Sequence, residues 1–193
     1  MKKIILIIAT TISFSMNAQM SDGSYNTSAT GTHSVAMGRE TTASGTASTA
    51  MGSGTVASKW TSTAMGYYTT ASGVYSTAMG VNTTASGTSS TAMGSITIAS
   101  GIGSTAMGGY TAASGKFSAA MGEGTTASDH SSLAVGRYNL LGSTVTNSAT
   151  DFSTDNTAFV IGNGVDGDNR SDALVVKFNG DATLAGNLSI NSD

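Results

Sequence analysis

The sequence repeats itself every fourteen residues. An alanine recurs at every seventh position from Ala29 to Ala134, and the segments around these alanines alternate between two forms. One form reads Ser-x-Ala-Met-Gly, as in residues 48–52, and the other reads Thr-x-Ala-Ser-Gly, as in residues 41–45. Two variable residues join each segment to the next. A fixed period of this kind indicates a stack of similar structural units.

The repeat is incompatible with a coiled coil, although coiled coils are the most common source of a seven-residue period. Most heptads contain a glycine, which costs about 1 kcal/mol in a helix interior. Within each segment the residues alternate as they do in a β-strand. The sequence therefore predicts an all-β fold, a parallel β-roll or β-solenoid of 14-residue coils spaced about 4.8 Å apart, with five-residue strands and two-residue turns.

The alternation also predicts which side chains face inward. The chain has 30 serines, 30 threonines and 25 glycines, and the small Ser/Ala/Gly and Thr/Ala/Gly sets would let two sheets approach closely. Larger residues of one segment would then form an outward ladder, and Leu133 and Val135 would end it. Its members are Met37, Met51, Met65, Met79, Met93, Met107 and Met121. The alternative, with methionine inside and the small residues outside, remains open at this point.

An outward methionine ladder favours self-association. Full burial of each side chain is worth roughly 1.5 kcal/mol or more, so that covering the ladder would contribute on the order of 10 kcal/mol per chain before association costs. We therefore expect these residues to form an oligomer interface.

The N-terminus has the features of a secretory signal peptide. A positively charged start, Met1-Lys2-Lys3, precedes an apolar stretch over residues 4–16, and Ala18 provides a small residue before Gln19. We expect residues 1–18 to be removed on export to the cell surface or the extracellular space. The stretch is shorter than the roughly 20 apolar residues of a membrane span, so no membrane-spanning segment is predicted. The remaining domains are then a lead-in over 19–28, the roll over 29–138, and a C-terminal β module over 139–193.

Composition excludes several classes of function. The net charge is −3 and no Lys/Arg cluster is present, so we expect no nucleic-acid partner. There is no cysteine, and His33 and His130 lie at opposite ends of the repeat. The acidic turn at residues 166–169 misses the EF-hand spacing, and no nucleophile elbow surrounds any serine. The sequence predicts no enzyme activity, no metal site and no cofactor.

Aromatic residues concentrate in the variable turn pairs. Because the strands fix the scaffold while turns are free to differ, turns are the expected recognition surface. The candidate ligand-binding residues are Trp60, Tyr67, Tyr68, Tyr75, Tyr110 and Phe117. The phase of the coils places Tyr68, Tyr110 and Tyr138 on one edge and Trp60, Tyr75 and Phe117 on the other. The alternative is that these rings only cover the edges of the roll or the joints between subunits.

The repeats resemble the head repeats of trimeric autotransporter adhesins, the YadA-like heads, whose units read approximately Ser-Val-Ala-Ile-Gly. Residues 33–38, His-Ser-Val-Ala-Met-Gly, are the most similar copy. The resemblance implies a left-handed parallel β-roll assembled as a homotrimer, with the Val/Ile-type positions turned toward the threefold axis. It also implies an exported, non-enzymatic adhesin head that attaches to host matrix proteins, cells or other surfaces.

The C-terminal part predicts further strands. Residues 156–162 read as one strand, residues 172–178 as another, and Asn179-Gly180 as a turn into a return strand that carries Leu184, Leu188 and Ile190. This part resembles modules that precede a self-cleaving chaperone domain in phage tail fibres and bacterial surface fibres, which implies a processing point near Asp193.

Two other functions remain open. The chain would serve as a structural segment of a secreted or tail-fibre-like trimeric fibre if it binds nothing specifically. Ice binding is the minor alternative, because ranks such as Thr42-x-Ser44 would form a regular hydroxyl array on the second sheet. Val56, Ile98 and Ala112 interrupt the threonine rank.

Overall fold

The computed structural model describes residues 18–20, 26–141 and 149–187, and it is an all-β structure of two sheets. Strands are numbered along the chain. The first sheet contains, in spatial order, β1 (Ala18–Met20), β3 (Val35–Arg39), β5 (Thr49–Ser53), β7 (Thr63–Tyr67), β9 (Thr77–Val81), β11 (Thr91–Ser95), β13 (Thr105–Gly109), β15 (Ala119–Glu123), β17 (Leu133–Arg137), β18 (Thr157–Asn163), β19 (Asp172–Lys177) and β20 (Ala182–Leu184). The second sheet contains β2 (Ser28–Ala29), β4 (Thr42–Ala43), β6 (Val56–Ala57), β8 (Thr70–Ala71), β10 (Thr84–Ala85), β12 (Ile98–Ala99), β14 (Ala112–Ala113) and β16 (Thr126–Ala127).

Successive coils stack in parallel with a register of fourteen residues. Met51 pairs with Met65 and Ala50 with Ala64 in the first sheet, and Ala57 pairs with Ala71 in the second. The same offset continues along the repeat and gives a β-solenoid of about 8 turns. The predicted all-β fold of stacked, parallel 14-residue coils is confirmed.

Small residues fill the space between the two sheets. Every alanine of the seven-residue series from Ala36 to Ala134 has an exposure of 0%. The Ser or Thr two residues before each of them is also buried. Some of these hydroxyls bond locally, as when Ser62 and Ser76 each donate to the carbonyl three residues earlier, at 2.7 Å. The inward prediction for Ala, Ser and Thr is confirmed, and the alternative with methionine inside is wrong.

The glycines of the methionine segments depart from the prediction. Gly52 and most of its equivalents are exposed instead of pointing inward with Ser48 and Ala50. The backbone at Gly52 has a φ of 120°, a region that side chains other than hydrogen rarely permit. A Cβ there would also collide with the carbonyl oxygen of Gly66 in the next coil. Glycine is therefore required here by the close approach of neighbouring coils, and not by packing in the core.

Strands of the second sheet are shorter than predicted. They contain two residues each, as in Thr42–Ala43, where five were expected. After Ala43 the chain bends, because the amides of Ser44 and Gly45 both donate to the carbonyl of Ala57. The Ser48 amide then bonds to the Gly45 carbonyl at 3.2 Å and closes a β-turn. The five-residue segment 41–45 therefore forms a two-residue strand followed by the start of a turn.

Every turn pair places its second residue in the left-handed region. This position has positive φ at each seventh residue from His33 to Tyr138, and thirteen of its occupants are not glycine. Such a backbone costs of order 1–2 kcal/mol for a residue with a Cβ. The stacked coils hold it in place, because the amide at this position donates to the preceding coil, as Tyr68 does to Ser53 at 2.9 Å.

The C-terminal strands continue the first sheet. β18 pairs in parallel with β17, with Val135 opposite Ile161, and β19 and β20 follow as antiparallel strands. Val160 is fully buried at the end of the alanine core, and Val175 packs against that core. The strands predicted at 156–162 and 172–178 are present within a residue of these bounds. Leu188, Ile190, Asp193 and nearly all of the predicted signal peptide lie outside the described residues.

Polar side chains close the C-terminal end of the roll. The Oδ1 atom of the fully buried Asn139 accepts from the Thr126 amide at 2.7 Å, and its Nδ2 atom donates to the Thr126 carbonyl at 3.0 Å. Asn139 thus supplies the hydrogen bonds that a further strand would offer to β16. Arg170 donates to the Gly124 carbonyl at 2.8 Å, and the buried carboxylate of Asp129 accepts from the Thr157 amide at 2.9 Å. These contacts cover the C-terminal edge of the roll, where exposed backbone groups could otherwise pair with a strand of another chain.

Candidate functional site: the methionine face and the turn edges

The methionine face is the outward side of the first sheet. Over the first-sheet strands β3 to β15, its central rank contains one methionine per strand in direct register, and each side chain is half-buried in the single chain. The rank comprises Met37, Met51, Met65, Met79, Met93, Met107 and Met121. Their outward direction follows from the fully buried alanine that directly precedes each methionine, since successive side chains of a strand point to opposite faces. The predicted interface residues therefore lie on one flat side of the roll.

The methionine face does not end with the repeat. The pairing register places Val135 after Met121, Ile161 after Val135 and Leu174 after Ile161, and Leu184 completes the rank. Leu133 belongs to the adjacent outward rank, where it pairs with Phe159. One continuous apolar rank thus crosses the repeat and the C-terminal strands.

The turn edges are the two narrow sides of the roll, where the variable pairs stack. The first edge carries Tyr67, Tyr68 and Tyr110. Val81 and Ile96, which are apolar but not aromatic, lie on the two coils between these tyrosines. All five side chains are exposed, with Tyr110 the most open at 59%. The Tyr67 and Tyr68 rings meet edge to face with centroids 4.4 Å apart. Together they form an uncharged apolar strip over four successive coils.

The second edge carries two separate aromatic groups. Trp60 and Tyr75 lie with ring centroids 5.2 Å apart, on neighbouring coils. Nearer the C-terminus, Phe117 contacts His130 at 5.7 Å and His130 contacts Phe152 at 6.0 Å. Phe152 in turn contacts Phe178 at 4.9 Å. The rings of Phe117 and Phe152 are still about half exposed.

Three aromatic turn residues also serve the packing of the coils. The rings of Tyr68, Phe117 and Tyr138 occupy the space beside the glycines at the equivalent position one coil earlier, where any Cβ would overlap the ring. Those glycines are Gly54, Gly103 and Gly124. The remaining candidates, Trp60, Tyr67, Tyr75 and Tyr110, have no such glycine partner.

A charged cluster ends the first edge. Arg137 donates from Nε to Glu123 at 2.8 Å, and the Tyr138 hydroxyl donates to the same carboxylate at 3.3 Å. The hydrogen bond from Arg137 lowers the pKa of Glu123 and raises that of Arg137. Desolvation and the nearby Glu123 charge raise the pKa of Tyr138. The apolar strip is therefore bounded by charge on its C-terminal side.

The outward face of the second sheet carries hydroxyls. Its serine rank is unbroken from Ser44 to Ser128 at intervals of fourteen residues. The neighbouring threonine rank is interrupted at Val56, Ile98 and Ala112, which the register places on the same line. This face is polar where the methionine face is apolar.

The described part of the chain shows no grouping of three or more His, Asp or Glu side chains that could hold a metal ion. In the acidic turn, the Asp166 carboxylate is hydrogen-bonded within the turn, because it accepts from the amides of Asp168 and Asn169 at 3.0 and 2.8 Å. These hydrogen bonds lower the pKa of Asp166. His33 and His130 remain on distant coils.

Sequence reasoning missed Val81, Ile96, Phe152 and Phe178 as neighbours of the candidate residues. The first two occupy the same turn positions as the tyrosines, so extending the search from aromatic to all apolar turn residues would have found them. Phe152 and Phe178 lie outside the repeat, where no phase exists to place them.

The fold and the exposed ranks define a class, the parallel β-solenoid with one apolar face. The model of the YadA head domain repeat, two copies long, matches residues 29–55, 57–83, 85–111 and 113–139, which is more than half of the chain. The chain belongs to this family of adhesin heads. The family consists of structural, surface-exposed adhesins that in general assemble as homotrimers.

Comparison with curated proteins gives no match. Across residues 18–20, 26–141 and 149–187, no helix has the length and apolar character needed to cross a membrane.

Proposed function

We propose that the chain is the exported, non-enzymatic head of a cell-surface adhesin. Three copies assemble through the methionine face, and the turn edges attach the assembly to host matrix proteins, cells or inert surfaces. The observation that carries this proposal is the separation of two apolar surfaces on one rigid roll. A flat face is suited to a second copy of the chain, while the edges beside it remain open.

Burial of the methionine face supplies the free energy for assembly. Each methionine is already half-covered within its own chain, so that association gains roughly 1 kcal/mol per side chain. Burial of the seven methionines then contributes on the order of 7 kcal/mol per chain to the free energy of association. This figure leaves out the cost of association and the burial of Val135, Ile161 and Leu174. This is less than a fully exposed ladder would give, and the continuation of the face across β18 to β20 makes up part of the difference.

We assign attachment to the turn edges, because assembly through the methionine face would leave these edges exposed. The strip of Tyr67, Tyr68, Val81, Ile96 and Tyr110 and the Trp60–Tyr75 pair are exposed apolar groups on a rigid scaffold, which is typical of interaction sites. Tyrosine and tryptophan provide large contact areas with little loss of side-chain entropy.

The test is an attachment assay on collagen, fibronectin and an abiotic surface, with cells or beads that carry the protein. Trp60→Ala combined with Tyr75→Ala should lower attachment without changing the mass of the oligomer. Thr46→Ala combined with Ser89→Ala is the matched control, since both residues are exposed on the same edge and carry no ring. Equal attachment of the wild-type protein and the ring variant would remove this pair from the binding site.

A structural segment of a trimeric fibre is the second candidate function. The packing of Tyr68 against Gly54 and of Phe117 against Gly103 favours it, because these rings then stabilise the stack of coils. A fibre segment would show no attachment above background on any of the surfaces, with the wild-type protein as well as with the variants.

A further inference from the structure

Within the repeat, the methionine face contains seven thioethers, one on each strand of the first sheet from β3 to β15. In parallel sheets neighbouring strands lie about 4.8 Å apart, so the sulfur-bearing side chains form a dense row. All seven are half-buried in the isolated chain and therefore in contact with solvent. Thioethers are the groups of this face that peroxides oxidise.

The remainder of the same rank is chemically inert. Val135, Ile161, Leu174 and Leu184 continue the row on the C-terminal strands, and their hydrocarbon side chains do not react with peroxide. The rank therefore consists of an oxidisable part over the first-sheet strands β3 to β15 and a resistant part over β17 to β20. The two parts bury comparable apolar groups but differ in redox chemistry.

We propose that the methionine face is a modification site at which peroxide-type oxidants block self-association of the unassembled chain. The inference rests on the proposed assembly through this face. With hydrogen peroxide, the thioether sulfur attacks one oxygen, an S–O bond forms as the O–O bond breaks, and the proton of the transferred hydroxyl passes to the departing hydroxide. The products are methionine sulfoxide and water. The sulfur loses two electrons and the peroxide gains them.

Each sulfoxide introduces a polar S=O group into a surface that assembly would bury. Burying such a group without a hydrogen-bond partner is unfavourable. Along the rank the neighbouring strands present only other methionines or a hydrocarbon side chain, while the outward threonines, such as Thr49 two residues before Met51, lie in the adjacent rank. Assembly before exposure to oxidant has the opposite effect, because the thioethers of the assembled protein are shielded. The order of the two events decides the outcome.

The experiment compares the two orders with hydrogen peroxide as the probe. One sample of the full chain is dissociated in urea, oxidised and returned to buffer, and the other is oxidised as the intact oligomer. Peptide mass spectrometry counts the sulfoxides, and sedimentation measures the mass. The dissociated sample should carry sulfoxides at Met37 to Met121 and should associate at least a hundredfold more weakly than the mock-treated protein. The intact sample should keep its mass and acquire far fewer sulfoxides.

Two controls separate modification of this face from general damage. Methionine sulfoxide reductases of both epimer specificities should restore association of the oxidised chain. A variant with Met65→Leu, Met79→Leu and Met93→Leu should retain more association after oxidation than the wild-type protein, since leucine resists peroxide and keeps the apolar surface.

The possible results are distinguishable. A mock-treated wild-type protein that remains a single chain contradicts the proposed assembly, and this inference with it. A wild-type oligomer that reassembles normally after full oxidation contradicts the inference alone. Failure of the reductases to restore association would assign the loss to damage elsewhere in the chain and would also overturn it.

Discussion

The two sheets of the roll share one interior and differ in their outward faces. Inward, both present alanine at the same pitch, and all of these alanines from Ala36 to Ala134 are fully buried. Outward, the first sheet presents methionine beside threonine, whereas the second presents mainly serine and threonine and has no methionine in its described strands. The common interior specifies the fold, whereas the outward residues decide what each face contacts. The proposed assembly therefore uses the side of the scaffold that carries the methionines.

The largest effect is expected when charge is placed on the methionine face. Met51→Asp combined with Met79→Asp should convert the oligomer to single chains, because burying two uncompensated carboxylates per chain costs several kcal/mol. Light scattering measures the mass. Ser44→Asp combined with Ser72→Asp is the control on the opposite face and should leave the mass unchanged. A folded methionine variant with wild-type mass would contradict the assignment of the two faces.

A smaller effect is expected from enlarging the interior. Ala92→Leu in the first sheet and Ala85→Leu in the second should each lower stability by about 1–3 kcal/mol, since both alanines have 0% exposure and the added carbons have no space. Thermal unfolding followed by circular dichroism gives the comparison. Thr91→Leu is the control on the outward side of β11, the strand that carries Ala92, and should change the stability of the fold little. Tolerance of leucine at Ala92 and Ala85 would show that the two sheets are not closely packed.

The capped end of the second sheet is the next point to test. Asn139→Ala removes both hydrogen bonds to Thr126 and should cost about 1–3 kcal/mol, because the edge groups of β16 lose their partners. Hydrogen exchange at the Thr126 amide should become faster. Asn163→Ala, an exposed asparagine whose side chain accepts from the Ser171 hydroxyl, is the control and should leave that amide protected. If hydrogen exchange at the Thr126 amide were unchanged in Asn139→Ala, groups other than the Asn139 side chain would protect the edge of β16.

The smallest effect concerns the charged cluster at the end of the first edge. Because Arg137 lowers the pKa of Glu123 below 4.5, this pair stabilises the fold above the ordinary glutamate pKa, and the contribution disappears as pH falls through the lowered value. The pair is exposed, so the effect is small. Glu123→Gln should unfold at a slightly lower temperature than the wild-type protein at pH 7, and this difference should shrink as the pH falls through the lowered pKa of Glu123. A difference that stays constant as the pH is lowered would have another cause.

The period and the alternation of residues were sufficient to predict the roll, its inward alanines and the outward methionines. They did not predict the two-residue strands of the second sheet, because the bend after Ala43 depends on how two amides share the Ala57 carbonyl in the next coil. They also did not predict the exposure of Gly52, where the contact with Gly66 decides the residue type. Both features arise between coils, so a single strand considered by itself does not show them.

The candidate site was predictable only where the repeat extends. The phase of the coils placed Tyr68 and Tyr110 on one edge and Trp60 and Tyr75 on the other. It gave no position for Phe152, which lies beyond the end of the repeat and reaches His130 through tertiary packing. The same interruption hid the pairing of β18 with β17, through which the methionine face continues into the C-terminal strands.

Sedimentation equilibrium of the purified wild-type protein tests the central claim most directly. Small residues inside the roll leave the methionines half-buried on its surface, and the proposed association would cover the remainder of these side chains. The account predicts a mass three times that of one chain, constant over a wide range of concentrations. A folded β protein with the mass of one chain at micromolar concentration would contradict it.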